Sequence, residues 1–404
     1  MVIGIIGAGA SGMAAALAAA ENKSVQVELF ERHSRVGRKL QATGNGRCNL
    51  SNIHATVRNY HGEAPDFVNI ALELMGPYET LRWFEQLGLF SVIEQSGKVY
   101  PYSDQANSVV DVLRFALARE NVCLHTGCEV EKIQYDSQGF LVYHSDGIVR
   151  CDKLIIACGG LAGTKLGGSM SGYKLLSKLG HRASRLRPAL VQIKCDWGGV
   201  VALKGVRTNC HVEIFRDGDL FAESTGELQF TDYGISGPVT FEISRDVCYG
   251  GGRWTARLDF LPEHSREKIV SEIERRRTST LPLDELLVGI LHNRLGRVLT
   301  KVAGISGART GDSLRDDEIN EIVRALKAFE IPLKETMGMD CAQVTAGGVL
   351  TDEFDAGTME SKRIPGLYAC GEVLDIDGDC GGFNLQWAWS SGYLAGKSAA
   401  EVKA

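Results

Sequence analysis

The sequence is poor in the features that mark secreted, membrane-spanning or nucleic-acid-coating proteins. Its eleven cysteines are an odd number and include no C-x-x-C pair. That argues against a disulfide framework or a zinc site and for reduced thiols in the cytoplasm. No segment comes near the roughly 18 uninterrupted apolar residues of a membrane span. The start, "MVIGIIGAGASGMAAALAAA", lacks the positively charged lead of a signal peptide, and Gly4, Gly7, Gly9, Ser11 and Gly12 interrupt its apolar run. Basic residues are not in excess: 44 Lys and Arg face 50 Asp and Glu, for a net charge of −6. A general binder of nucleic acid or anionic membrane would show the opposite balance. The one basic run, Arg275–Arg277, follows "SEIE" and reads as a solvated helix face. Prolines number only nine, and neither an internal repeat nor a low-complexity tract occurs.

Glycine, by contrast, is abundant at 47 residues in 404, which points to tight turns or close approaches of backbone to a ligand. The length predicts two or three structural units. "VIGII" (2–6) reads as a buried parallel strand, followed by an Ala-rich helix to about Asn22 and a second strand, "VQVELFE" (25–31). Helical patterns dominate between about 65 and 120, and "CEVEKIQYD", "GFLVYHSD" and "KLIIACGG" then read as strands. From about 190 to 255 strands alternate with turn signals, residues 265–330 are helical again, and a strand, turn and helix close the chain. The fold class expected is α/β: an N-terminal unit, a second, strand-textured stretch with a helical insert of different texture, and a return to the first unit. The boundaries expected are 1–188 and 344–404 for the first, 189–258 with 331–343 for the second, and 259–330 for the insert.

"GAGASG" places Gly7, Gly9 and Gly12 in G-x-G-x-x-G spacing between the first strand and the first helix. Gly7 permits the tight turn, Gly9 lets backbone approach a pyrophosphate, and Gly12 lets helix and strand pack closely. The helix start, through Ala10 and Ser11, aims free N–H groups and a positive dipole end at phosphates. Glu31 closes the second strand nineteen residues past Gly12, where a carboxylate accepts ribose hydroxyls and repels a 2′-phosphate. The pattern predicts a dinucleotide site. A plain NAD domain would continue its strand–helix alternation, but this chain turns instead into "GRKLQATGNGRCNLSN" (37–52). It returns to glycine-ended strands at Cys158, Gly159 and Gly160, and again at Gly371 and Glu372. A ligand touched at three such distant places is long, and FAD fits it better than NAD.

In the 37–52 segment, Gly37, Gly44 and Gly46 would let backbone run along the cofactor. Arg38 and Lys39 would offset phosphate charge, and Thr43, Asn45, Arg47, Cys48 and Asn49 would reach the isoalloxazine. Loss of Arg38 is expected to weaken FAD retention more than loss of Arg32, which follows the ribose acid. Val130, on the strand after the helical stretch, belongs to the same cofactor set. At the C-terminus Glu372 would accept ribityl hydroxyls. Gly382, Phe383, Asn384 and Leu385 would open a helix whose dipole stabilises charge on the flavin N1–C2=O edge. The Trp387/Trp389 pair and Gly392/Gly396 mark a helix able to lie close against the first one.

"GRKLQATGNGRCNLSN", "GELQFTDYGISGP", "VTAGGV…TMESKRIPGLY" and "GEVLDIDGDCGGFNLQWAWSSGYLAG" closely resemble the BaiN-like, or aminoacetone-oxidase-like, FAD-binding flavoproteins, relatives of the glutathione-reductase-like class with two dinucleotide sites. The resemblance spans nearly the whole chain in order and implies FAD as cofactor, held by a Rossmann-like FAD-binding domain that is interrupted by a β-rich domain carrying a helical insert. It also implies reduction of a C=C bond conjugated to a carbonyl, with NADH or NADPH as transient electron donor. One departure is Ala162 and Gly163, which stand where an aromatic and a proline are expected. Alternatives are an oxidase of a small amine, or a flavin-binding regulator without turnover. Disulfide reduction is disfavoured, since Cys123/Cys128 and Cys151/Cys158 sit in or near predicted strands and read as core thiols. No second G-x-G-x-x-G marks an NAD(P)H site. Candidates for substrate contact and proton delivery are Arg47 and Asn49, with Tyr100, Tyr102 and Tyr233. A small-molecule substrate is expected, with neither nucleic acid nor membrane as partner; a metal is not expected.

Overall fold

A computed structural model describes residues 1–401. The chain divides into two compact units, Met1–Pro188 with Gln343–Ala404, and Ala189–Ala342.

The first unit is built on a five-stranded parallel sheet in the order Leu367–Ala369, Lys153–Ile156, Val2–Ile6, Gln26–Glu31, Val122–Thr126. Its central strands are nearly continuous in Ile, Leu and Val because both faces are covered. The first helix, Ala10–Ala19, is buried from Ser11 onward. Small side chains there admit the last helix, Phe383–Ala400, at very close range. A Cβ on Gly392 would stand 2.3 Å from the Ser11 carbonyl oxygen, and one on Gly396 2.2 Å from that of Ala15. A three-stranded antiparallel sheet follows the edge strand (Val130–Asp136, Gly139–His144, Gly147–Cys151).

The 65–120 region is less helical than its apolar spacing predicts. "FVNIALELMGPYETLRWFEQ" breaks into Asn69–Leu74 and Pro77–Gln86, because Gly76 takes an extended conformation and Pro77 can start a helix but not sit within one. Between the later helices, Ser91–Ile93 and Lys98–Pro101 form a hairpin that pairs with Ser51–Asn52.

The second unit is a closed antiparallel barrel in the order Ile193–Cys195, Gly234–Ser236, Asp219–Phe230, Arg207–Arg216, Trp254–Asp259, Phe329–Thr336. Helices Arg266–Arg277, Asn293–Val302 and Asp316–Lys327 leave and return between its last two strands, sharing one apolar core with the barrel. The Arg275–Arg277 run is not simply solvated. Arg276 is largely buried and donates to the carbonyls of Leu286 and Val288, both at 2.7 Å, tying its helix to the next turn. No helix among the described residues is long and apolar enough to cross a membrane.

Candidate functional site

The glycine turn takes the shape that the sequence demands. Gly7 has φ +104° and donates to the Phe30 carbonyl at 2.8 Å. A Cβ on Gly12 would lie 1.8 Å from the Gly7 oxygen, so helix and strand could not otherwise meet. Gly9 is different: a Cβ there would meet nothing within 4 Å. It is the N-cap of the first helix and no side chain caps that end, so the N–H groups of the first turn, through Ala10 and Ser11, are left for a ligand. Glu31 sits beside this turn, accepting the Ala8 amide at 3.0 Å and the His33 amide at 2.9 Å. Each carboxylate oxygen keeps a further lone pair for a hydroxyl donor.

The 37–52 segment begins as a helix rather than a loop. Gly37, at φ +68°, caps Arg38–Ala42, whose side chains are good helix formers. Gly44 and Asn45 then turn left-handed at φ +57° and +56°, and Cys48 at +63°. A Cβ on Gly44 would press on the Asn49 amide at 2.9 Å, whereas one on Gly46 would meet nothing. Thr43 closes the turn through its hydroxyl on the Leu40 carbonyl and its own carbonyl on the Cys48 amide. Burial pushes the Cys48 thiol up to about 12, so it is protonated at neutral pH and packs as a core residue.

Two arginines expected at different tasks share one. Arg32 donates to the Gly167 carbonyl at 2.5 Å, and Arg38 to the Lys165 carbonyl at 3.1 Å, with His33 Nδ1 2.8 Å away. Arg32 tethers the 163–168 turn to the end of the second strand, and Arg38 tethers it to the helix that follows. Burial and the neighbouring Arg38 guanidinium hold His33 below its ordinary value. In that turn Gly163 has φ +70°, which a proline ring forbids, and Ala162 is buried with its amide on the Thr345 hydroxyl at 2.9 Å. The backbone here therefore differs from one built around an aromatic–proline pair.

The mid-chain and C-terminal returns meet the glycine turn. A Cβ on Gly7 would strike the Ala157 carbonyl at 2.5 Å, and one on Gly371 the Ser11 hydroxyl at 2.5 Å. Gly159, at φ +69°, faces open space as Gly9 does. Gly160 must lack a side chain because Glu372 and Thr345 stand 2.4 Å from where its Cβ would be. Glu372 accepts from Lys39 Nζ at 2.7 Å on one oxygen and from the Thr345 amide at 2.9 Å on the other, and like Glu31 it keeps a further lone pair on each. Lys39 therefore neutralises this acid. Cys158 touches the Ile6 carbonyl at 3.5 Å. Val130 is buried opposite His144 at the head of its strand.

At the last helix, Gly382 (φ +105°) is an N-cap without a side-chain cap. A Cβ on it would meet the Ser51 carbonyl at 2.4 Å and Asn49 Oδ1 at 2.8 Å. Asn384 folds back, exchanging hydrogen bonds of 2.8 and 2.7 Å with Gly378, so its amide braces the turn. Phe383 is buried and gives its carbonyl to the Tyr60 hydroxyl; Leu385 is half-buried beside it. Asn49 Oδ1 is the unsatisfied group of this wall, a buried acceptor with no protein partner. Such a group normally has one. Next to it, Arg47 lies 3.9 Å above the Tyr100 ring, bonded to Asp104 and, at 3.1 Å, to Glu94. Tyr102 is exposed. Tyr233 belongs to the barrel unit, where its amide donates to the Thr231 hydroxyl and its carbonyl accepts the Cys195 amide.

Open space above Gly9 and Gly159, two uncapped helix starts and the orphaned Asn49 oxygen together fit a long anionic dinucleotide such as FAD. Several supporting residues escape sequence reading. Gln386, wholly buried, bonds Ser51, Met75 and Thr80 and so locks the last helix to the 37–52 segment. Ser391 accepts the Gly371 amide at 3.0 Å, and Trp387 and Trp389 donate to the Gly371 and Leu50 carbonyls. For Gln386 and Ser391 the only signal is a polar residue inside an otherwise apolar helix, whereas the two tryptophans are visible in the sequence and only their hydrogen bonds are not. Cys123, read as a core thiol, is exposed on the edge strand.

The profile of the HI0933-like protein Rossmann domain matches residues 1–398. The chain is 41% identical over 405 residues to the 3-dehydro-bile acid delta(4,6)-reductase of Clostridium scindens, covering 99% of each. It is 31% identical over 404 residues to the ribosomal RNA dihydrouridine synthase of Escherichia coli, covering 99% of this chain and 98% of that one. Among solved structures, the 3-ketosteroid delta1-dehydrogenase of Sterolibacterium denitrificans aligns over 98% of this chain and 99% of its own, with TM-score 0.52 and 12% identity. A flavocytochrome c3 fumarate reductase in its open conformation aligns over 98% and 78%, with TM-score 0.50 and 15% identity. These two likenesses are of fold alone.

Proposed function

The chain belongs to the HI0933-like Rossmann family and is an FAD-dependent oxidoreductase, and from that premise we propose that it reduces a C=C bond conjugated to a carbonyl in a small molecule, with NADH or NADPH as electron donor. The observation that carries the reading is the wall formed by Asn49, Gly382 and the Arg47–Tyr100 pair, beside a dinucleotide cradle, in a chain 41% identical to a delta(4,6)-reductase. The flavin, when bound, supplies hydride chemistry.

The protein's own residues supply position and charge. The glycine turn and first helix would hold the pyrophosphate, and Glu31 the ribose. Asn49 Oδ1 offers an acceptor at the far wall. Arg47, held 3.9 Å over the Tyr100 ring and bridged by two acids, presents a fixed cation to the substrate carbonyl, whose oxygen gains charge as the alkene is reduced.

A second reading has its own support. A uracil ring also carries a C=C bond conjugated to a carbonyl, and the 31% relative is a dihydrouridine synthase. The net charge of −6 weighs against an RNA substrate. The deciding experiment mixes flavin-loaded protein anaerobically with NADH or NADPH, then adds a conjugated steroid ketone or an unmodified ribosomal RNA fragment. Bleaching of the flavin followed by recovery on the ketone supports the proposal. Recovery with RNA alone, seen as dihydrouridine, moves the substrate to the second reading. Reduction by an amine but by neither nicotinamide would make it an oxidase.

A further inference from the structure

Away from the dinucleotide cradle, three side chains with metal-ligating atoms converge on the sheet edge. Glu28 lies on the strand Gln26–Glu31, and Cys123 and His125 on the edge strand Val122–Thr126. The parallel register sets Glu28 against Cys123 and Phe30 against His125, and residues two apart on a strand share a face. All three side chains therefore project from one face, opposite to that of Glu31. Their donor atoms lie within 4.8 Å of one another, and His125 Nε2 is 2.7 Å from Glu28 Oε2.

We propose that Glu28, Cys123 and His125 form a binding site for a borderline-soft divalent cation of the Zn2+ type, with water in the fourth position. Thiolate, imidazole and carboxylate are the donor types that such a cation selects, with metal–ligand distances of about 2.0–2.3 Å. Tetrahedral donors at those lengths stand roughly 3.3–3.8 Å apart, so closure needs only a small movement of the side chains. The imidazole is already oriented, because its ring stacks on the buried Phe30 ring at 4.9 Å and 12°. Cys123 is exposed and Glu28 and His125 are half-buried, which leaves the ion a way in. One thiolate and one carboxylate balance the dication, and binding releases the thiol proton. The bound ion would clasp the edge strand to its neighbour. C-x-H with a glutamate 95 residues upstream is a spacing that no C-x-x-C search detects.

Two other groups on the molecule serve less well. Cys128, His144 and Asp146 lie close by, but Cys128 is buried and both its Sγ and the Asp146 amide already face His144 Nδ1, at 3.1 and 3.3 Å. His211, Glu213 and Glu223 on the barrel offer no thiolate.

The test uses the full-length, flavin-loaded protein, reduced and stripped with a chelator, and titrates it with Co2+. The expected result is one equivalent bound, reported by tetrahedral d–d bands to the red of the flavin absorption, and displaced by Zn2+. Cys123→Ser and Glu28→Gln should each weaken binding by about tenfold or more, since even loss of an outer partner costs a metal site 10–100-fold. Cys128→Ser should leave it unchanged, and flavin content should be equal in all three. Zn2+ should raise the melting temperature of the parent protein and not of Cys123→Ser. Absence of the bands in the parent protein overturns the proposal, as does their loss in Cys128→Ser with retention in Cys123→Ser.

Discussion

Replacing Gly392 by alanine separates two forces of opposite sign. In an ordinary helix interior the change stabilises by about 1 kcal/mol, because glycine loses more backbone freedom on folding. Here the new methyl would stand 2.3 Å from the Ser11 carbonyl oxygen and 3.0 Å from its carbonyl carbon and Cα, all of them backbone. No rotamer relieves that contact, so the two helices must move apart. Overpacking of this kind costs about 1–3 kcal/mol, and a contact at 2.3 Å with immobile backbone belongs to the upper part of that range, above the helix gain. In a unit of this size each kcal/mol lowers the melting temperature by about 2–4 °C. Ser11 lies in the first turn of the helix that would hold the pyrophosphate, and Gly371 packs on its hydroxyl, so the shift should also reach the cofactor. Thermal melts with and without added FAD, together with flavin retained through gel filtration, read both effects. A Gly392→Ala protein that melts at or above the parent temperature would refute the close helix crossing.

Three further outcomes are expected. Arg47→Lys should leave stability nearly unchanged, since its ion pairs are exposed and worth about 0–1 kcal/mol. It should lower kcat/KM with a conjugated ketone by about tenfold or more, because a compact ammonium cannot stay over Tyr100 while bridging both Asp104 and Glu94 as the guanidinium fork does; an unchanged kcat/KM removes Arg47 from the site. Lys39→Met leaves Glu372 without its cation beside the cradle and should weaken FAD binding by about tenfold, or roughly 1.4 kcal/mol; fluorescence titration of FAD checks it. Stability should fall in acid in two stages around Glu353. Burial opposes its charge, but Arg182, Arg363, the Arg182 amide and His181 more than offset that and hold it at about 2. With a folded value below the ordinary 4.5, its contribution of roughly 3 kcal/mol is complete above pH 4.5 and lost as the pH falls towards 2. Burial keeps His181 below 6.5, so protonation favours the unfolded chain and the first loss begins under that pH. Denaturant melts from pH 7 to pH 3 should show both stages, and Glu353→Gln should flatten the lower one.

The glycine turn and the C-terminal Gly–Gly helix start were legible as backbone geometry because each is a local steric statement. A carbonyl 1.8 Å from where a Cβ would stand leaves glycine as the only choice, whatever the rest of the chain does. Strand and helix textures were legible for the same reason, through side-chain period, and they failed where a Gly–Pro break or a short edge hairpin cut the period.

The sequence by itself determined where backbone must turn and where helix and strand must pack closely, and with that the dinucleotide class. Only the tertiary structure decided which charges meet. Lys39 and Glu372 are 333 residues apart, Gln386 bonds Ser51 across 335, and Glu28 faces His125 across 97. An isolated Lys or Glu has no local signature of its partner, because an ion pair depends on through-space distance, which the parallel sheet and the crossing of the first and last helices set.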